Sequence, residues 1–213
     1  MRLITRGIKN AVRKKRDREG STQALVQAAL EVFSSVGYDA ATTREVAKKA
    51  GVSEALIQRY FEGKAGLLVA VMEVFAAKEM ETTLAALPYQ ATLREEILQL
   101  ISMSCDQMKT HSDFLRVALS RAIVDPKVGK QLASVVHGRR LPAIVARLGS
   151  YREKGQIHTG TDLNALAFGI SSLAFSVGFM APNVFGFEGP ILKSYAEYFS
   201  ALLASGAAAP PAK

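Results

Sequence analysis

Residues 42–64, TTREVAKKAGVSEALIQRYFEGK, decide the reading of this chain. Thr42 and Glu45 have capping-box spacing, so a helix is expected to open there, with Val46, Ala47 and Ala50 as its apolar stripe. Gly51 falls where that helix must stop, because glycine enters the left-handed region without a Cβ penalty. Val52 plugs the corner. Ser53 is expected to cap a second helix, whose inward and flanking apolar residues are Leu56, Ile57, Tyr60 and Phe61. Ala47 is small where the two helices cross. Glu54, Gln58 and Arg59 are left on the outer face, with Lys64 just past the end. An ordinary helix hairpin shares this periodicity. The joint placement of Ala47, Gly51, Ser53 and Ile57 favours a helix-turn-helix, the geometry that lays a helix in the DNA major groove.

Charge supports a polyanionic partner. The formal net charge is +8, and residues 1–64 hold 13 Lys/Arg against 7 Asp/Glu, while residues 65–213 hold 14 against 12. Cations clustered on the suspected DNA segment release condensed counterions on binding, which makes affinity strongly salt-dependent. Residues 1–19 read as a basic arm, with Arg2, Arg6, Lys9, Arg13, Lys14, Lys15, Arg16 and Arg18 against Asp17 and Glu19. Two readings of it stand, an arm on the DNA backbone or minor groove and a disordered solubilising tail. The Ile4, Ile8, Val12 spacing gives an apolar face too small for stable membrane anchoring.

The rest reads as helical throughout, with no alternating strand pattern. Helix 1 is expected over 22–36, with Leu25, Ala29, Leu30 and Phe33 inward. Later helices are expected over 65–87, 93–110, 112–124, 126–154 (bent or broken near Gly138 or Pro142), 162–181 and 190–205. The domains expected are the arm, a DNA-binding domain over 20–64, a helical effector-binding and dimerisation domain over 65–205, and a disordered tail over 206–213. The stretch 163–181 is apolar but broken by Asn164, Gly169, Ser171, Ser172, Ser176 and Gly178, which favours a buried helix over a membrane span. The N-terminus lacks a signal-peptide core, so a cytoplasmic location is expected. Cys105 is the only cysteine, and His111, His137 and His158 are scattered. No metal site, cofactor or internal disulfide is expected.

The run GYDAATTREVAKKAGVSEALIQRYFEGKAGLL, residues 37–68, resembles the signature of the TetR family of one-component transcriptional regulators. The elements that match are a Gly-Tyr closing helix 1, a Thr-Thr opening helix 2, an Ala-Gly-Val-Ser turn, a Tyr-Phe ending helix 3, and Gly-Lys before Leu-Leu. The resemblance covers roughly residues 20–72. It implies an all-α fold, a three-helix DNA-binding domain joined through helix 4 to a larger helical domain that binds an effector and dimerises through the last two helices. It also implies residue roles. Thr43, Tyr60 and Lys64 match phosphate-contacting positions, and Arg44 matches one that reaches a base edge. Glu54 and Ala55 begin the recognition helix, where a carboxylate can accept from cytosine and a methyl can touch thymine. Ser53 and Arg59 complete the DNA face. Gln58 departs from the tyrosine common there, and either a phosphate or an adenine is open to it.

For an effector pocket the candidates are Phe75, Met103, Met108, Phe114, Phe175 and Phe179, apolar residues that also suit plain core packing. His111, Arg116, Arg121 and His137 are polar residues available to orient a ligand or to serve as caps. The expected function is a repressor that binds a palindromic operator in double-stranded DNA as a homodimer and is released by a small, largely apolar effector. The competing reading is an architectural protein that uses its helix-turn-helix without operator specificity. An enzyme is not expected, since the chain has no nucleophile elbow, phosphate loop or paired-carboxylate motif.

Overall fold

The structure is a computed structural model that describes residues 2–135, 138 and 140–208, with the side chains of all of these except 2–16, 75–82 and 135. It is all helical, without a strand among the described residues. In chain order the helices are α1 (Arg2–Val36), α2 (Thr43–Ala50), α3 (Ala55–Phe61), α4 (Lys64–Ala86), α5 (Leu93–Thr110), α6 (Ser112–Val124), α7 (Pro126–Val135), α8 (Leu141–Glu153), α9 (Leu163–Phe175), α10 (Ala181–Asn183) and α11 (Pro190–Ala207). Residues up to Phe75 form one compact unit together with Arg116–Leu132. Ala76–Leu115 and the residues from Ala133 onward form the other. The expected boundary at 64/65 therefore differs from the division seen, which falls inside α4.

In the first unit α1 carries Leu25, Val26, Ala28, Ala29 and Phe33 inward, and α2 packs on it through Val46 and Ala47. The expected start of helix 1 at residue 22 is corrected. The helix runs from Arg2, so the basic segment is helical from Arg2 onward and continuous with helix 1. Its sequence contains no proline, and helix formation needs only that the preceding turns continue.

In the second unit α5 is the central helix, packed on α9 and α11, while α8 lies against α9. Ile97, Leu100, Ile101, Ile144, Leu148, Tyr151, Ala167, Ile170 and Ala174 fill the core between them. The expected long helix 126–154 is two helices, with Pro142 in the first turn of α8, where its missing N–H costs nothing. The stretch after α9 is a wide π turn, Ser176–Met180, rather than plain α-helix. A Cβ at Gly178 would lie 2.8 Å from Cys105 Cα, so a glycine lets this turn approach α5 closely. Together Leu163–Asn183 is long and apolar enough to cross a membrane by length and composition, with mean hydropathy 1.6. One side of it is nevertheless buried against neighbouring helices, through Leu166, Ala167, Ile170, Ala174, Val177 and Phe179.

The expected disordered tail is also corrected at its start. Gly206 and Ala207 are helical, and the Ala207 carbonyl accepts from the His158 amide at 2.9 Å, which docks the end of α11. Residues 209–213 lie outside the described residues.

Candidate nucleic-acid interface

The turn between α2 and α3 is built by local chemistry. Thr42 Oγ1 accepts from the Glu45 amide at 3.1 Å and the Glu45 carboxylate accepts from the Thr42 amide at 2.9 Å, so both halves of the capping box are formed. These bonds hold the exposed Glu45 carboxyl below its usual range. Gly51 closes α2 at φ 68°, and the Val52 amide bonds back to the Ala47 carbonyl at 3.1 Å. Ile57 and Phe61 are buried, and α3 turns Glu54, Ala55, Gln58 and Arg59 to solvent.

Ser53 does not cap α3. The helix begins one residue later than expected, with Glu54 in the cap position, already in helical geometry and making no side-chain cap bond. The reason lies across the turn. Glu54 Oε1 accepts from the Thr43 hydroxyl at 2.6 Å, so its side chain points back to α2 rather than over its own amides. Two residues expected to meet DNA separately are thus joined to each other.

Arg44 is exposed and faces solvent from the first turn of α2, and Ser53 is exposed beside the turn. Gln58 folds towards the helix end, since a Cβ on Gly63 would lie 3.4 Å from its Oε1. Tyr60 is half-buried, and two guanidinium groups lie over its ring, Arg59 at 5.9 Å and Arg18 of α1 at 5.2 Å. Sequence reasoning missed the Arg18 contact, although the dense run of arginine and lysine before Gly20 was its signal.

Lys64 is not extended into solvent. Its Nζ donates to the Asp39 carbonyl at 3.3 Å and lies 4.4 Å from the Tyr38 ring centroid, a cation–π pair. Burial lowers its pKa, with Arg121 adding to that and Asp39 opposing it. Arg121 reaches the same ring at 5.3 Å and pairs with Asp125 at 3.0 Å. Tyr38 therefore sits against two cations and the Phe33 ring.

For the pocket candidates, Phe175 and Phe179 stack on each other with centroids 5.4 Å apart, and Phe114 and Met108 are buried. Met103 is also in the core and lines a cavity of about 410 Å³ together with Gln107 and His111. A second cavity of about 590 Å³ is walled by Leu98, Cys105, Val177, Leu192 and Ala196, none of them a predicted pocket residue. The Phe75 side chain and His137 lie outside the described residues.

Residues 25–71 match the family of bacterial regulatory proteins called tetR. The chain is 42% identical over 82 residues to the HTH-type transcriptional regulator BetI of Rhizobium meliloti (strain 1021), covering 38% of this chain and 40% of that one. It is 27% identical over 113 residues to the probable HTH-type transcriptional regulator YttP of Bacillus subtilis (strain 168), 52% of this chain and 54% of that one. The matched region thus spans about half the length of these curated relatives. Among solved structures, a protein of Mesorhizobium loti MAFF303099 assigned to the TetR family of transcriptional regulators superposes with TM-score 0.70 at 21% identity, over 90% of this chain and 98% of that one. The likeness to that structure is one of fold. The matched relatives are named as transcriptional regulators, which bears out the reading against an enzyme.

Proposed function

From membership of the tetR family of bacterial regulatory proteins, carried by residues 25–71, we propose that this chain is a ligand-responsive repressor in the cytoplasm that binds a palindromic operator as a homodimer. The observation that carries the proposal is the completed helix-turn-helix, with its capping box, its left-handed Gly51 and its solvent-facing α3. One such module reads only a short half-site, so a two-fold partner is needed for a palindrome. The long helices α9 and α11 supply a surface for it. Phe168 of α9 is 53% exposed, and Tyr198 and Leu202 of α11 are 66% and 54% exposed. Apolar side chains clustered at such exposure mark a contact surface.

Within the interface Arg44 reads a base and Thr43, Tyr60 and Lys64 hold the backbone. Because its hydroxyl proton is engaged by Glu54, Thr43 offers phosphate its backbone amide, one of the orphan donors at the start of α2. Lys64 leaves Tyr38 and the Asp39 carbonyl when phosphate arrives. Release follows when an effector binds the second unit and prefers a conformation in which the paired recognition helices no longer fit successive grooves.

The test is a selection of bound duplexes from random DNA, followed by titration of two variants. Arg44→Ala is expected to lose about 1–3 kcal/mol on the selected site and to relax preference at one base pair. Lys64→Ala is expected to weaken every sequence alike and to lower the salt slope by about 1. Identical sequence profiles for the two variants would refute this division of roles. Recovery of no preferred sequence at all would sink the operator proposal itself.

Glu54 gives a third handle. A carboxylate next to the DNA backbone opposes binding to any sequence, whereas Glu54→Gln keeps an acceptor for Thr43 and removes the charge. Non-cognate duplex is expected to bind about threefold to tenfold tighter at low salt, an advantage that shrinks as salt screens the charge. Fluorescence anisotropy at two ionic strengths reads this directly. An unchanged non-cognate affinity would place Glu54 away from the phosphates.

A further inference from the structure

The surplus positive charge of the DNA-binding end does not lie on the helix-turn-helix. Of the 13 Lys/Arg and 7 Asp/Glu in residues 1–64, residues 1–19 hold eight against two, and residues 20–64 hold five against five. The helix-turn-helix domain is therefore neutral as a whole. Two of its five cations are also engaged within the fold, since Lys49 pairs with Glu31 at 2.8 Å and Lys64 donates to the Asp39 carbonyl. A protein draws its sequence-independent affinity for a duplex from cations that displace condensed counterions. On this chain those cations stand mainly in the first turns of α1.

Their spacing matches an extended polyanion. The continuous helix carries Arg2, Arg6, Lys9, Arg13 and Arg16 at alternating steps of four and three residues, so helical periodicity sets all five on one face. At about 1.5 Å per residue the row is roughly 20 Å long. Like charges at this spacing repel one another along a helix, and a line of phosphates relieves that repulsion. The row also starts beside the recognition helix. Arg18, two residues past its end, lies over the Tyr60 ring at 5.2 Å. The Ser21 hydroxyl donates to the Asp17 carbonyl at 2.7 Å, and α1 passes this junction without a break. An anionic membrane is the poorer match, because Ile4, Ile8 and Val12 are the only large β-branched residues among the first 18 and anchor little.

We propose that residues 2–18 of α1 are a second DNA-binding element, a row of cations for backbone phosphates that supplies most of the salt-dependent affinity and no base preference. This assignment rests on reading α2 and α3 as the DNA-reading module, which supplies the preference.

The experiment uses the full chain and fluorescence anisotropy over a salt series, on a duplex selected from random DNA and on a shuffled duplex of the same length. One variant combines Arg2→Gln, Arg6→Gln, Lys9→Gln, Arg13→Gln and Arg16→Gln, which keeps helix propensity. The other, Ala11→Pro, keeps every charge and breaks the row. In the glutamine variant the slope of log affinity against log salt is expected to flatten by about 3–4, out of about 4.5 available to five phosphate contacts. Affinity at physiological salt should fall about a hundredfold or more on both duplexes, with their ratio kept within about twofold. The kept ratio also shows that the helix-turn-helix is folded. Ala11→Pro should lose about tenfold on both duplexes, and phosphatidylcholine vesicles doped with phosphatidylglycerol should not displace either duplex from wild type. A glutamine variant with the wild-type slope overturns the element, and so does a loss confined to the selected duplex, which would make these residues base readers. Ala11→Pro binding as tightly as wild type overturns the helical row in favour of a flexible charged tail. Displacement by the vesicles would reassign the row to a membrane and overturn it too. Wild type that binds neither duplex would refute the helix-turn-helix reading as well, whereas wild type that binds beside an unaltered glutamine variant refutes the row alone.

Discussion

Arg147→Met is expected to cost the second unit about 3–5 kcal/mol, the usual penalty for stranding one member of a buried ion pair. Glu96 is 0% exposed and Arg147 is 6% exposed, so water cannot replace the lost partner. The change also strips the Leu84 and Leu87 carbonyls of their guanidinium donor at the end of α4, and leaves the Pro88 carbonyl with the Gln99 side-chain amide alone. Two neutral donors to Glu96 survive, the first of them the Gln90 amide, which donates to Oε2 at 3.1 Å. The Tyr151 hydroxyl lies 2.7 Å from Glu96 Oε2 and 2.8 Å from the Gln90 carbonyl, and its single proton can go to either. Burial first, and then the bond to Glu96, raise the Tyr151 pKa, so this hydroxyl stays a neutral donor. It cannot supply a positive charge. Hydrogen exchange of α5 and α8 amides reads the local opening energy, and urea unfolding reads the midpoint. Arg147→Met combined with Glu96→Leu should recover most of the loss, because removing both charges leaves none unpaired. A single variant that loses under about 1 kcal/mol, or a double variant no more stable than the single, would show that the pair is not what ties this turn to α5 and α8.

The Arg147–Glu96 pair shows where the chain was legible and where it was not. The helix-turn-helix was readable because its determinants are local: Thr42 and Glu45 are three residues apart, and Gly51 acts through its own φ. The bounds of α5 and α6 were readable for the same reason, since Asp125-Pro126 stops one helix and Thr92 opens another. Partners far apart in sequence leave no such mark. Glu96 and Arg147 are 51 residues apart, and nothing in the periodicity of either helix shows that one fills the other's need. The π turn after α9 was hidden too. Gly178 could be read as a small residue that permits close packing, but the helix it approaches is 73 residues earlier in the chain. The Thr43–Glu54 bond was missed by a different route. Each residue had a role implied by resemblance, and assigning roles one position at a time conceals a bond between two of them.

Gly66→Ala is expected to abolish operator binding, although helix propensity alone predicts the opposite. In the interior of a helix, alanine is favoured over glycine by about 1 kcal/mol, and Gly66 sits in the first turns of α4. A Cβ there would lie 1.7 Å from the Phe61 carbonyl oxygen and 2.8 Å from its carbon. Both are backbone atoms, so no rotamer change relieves the clash. Overpacking of this kind costs about 1–3 kcal/mol and occasionally more, and a contact this short belongs at the upper end. The clash wins. Relief requires α4 to shift from the end of α3, and Phe61 is the buried residue that seats the recognition helix. A displacement of about 1 Å there moves the donors of α3 out of reach of base edges, where each bidentate contact is worth about 1–3 kcal/mol. Gly20→Ala is the matched control, since it lies within α1 and a Cβ there meets nothing within 4 Å. That variant should gain up to about 1 kcal/mol and bind DNA as before. Gel shifts and thermal midpoints of the two variants decide between propensity and packing. If Gly66→Ala behaved like Gly20→Ala, the close approach of α4 to Phe61 would not be what fixes the recognition helix.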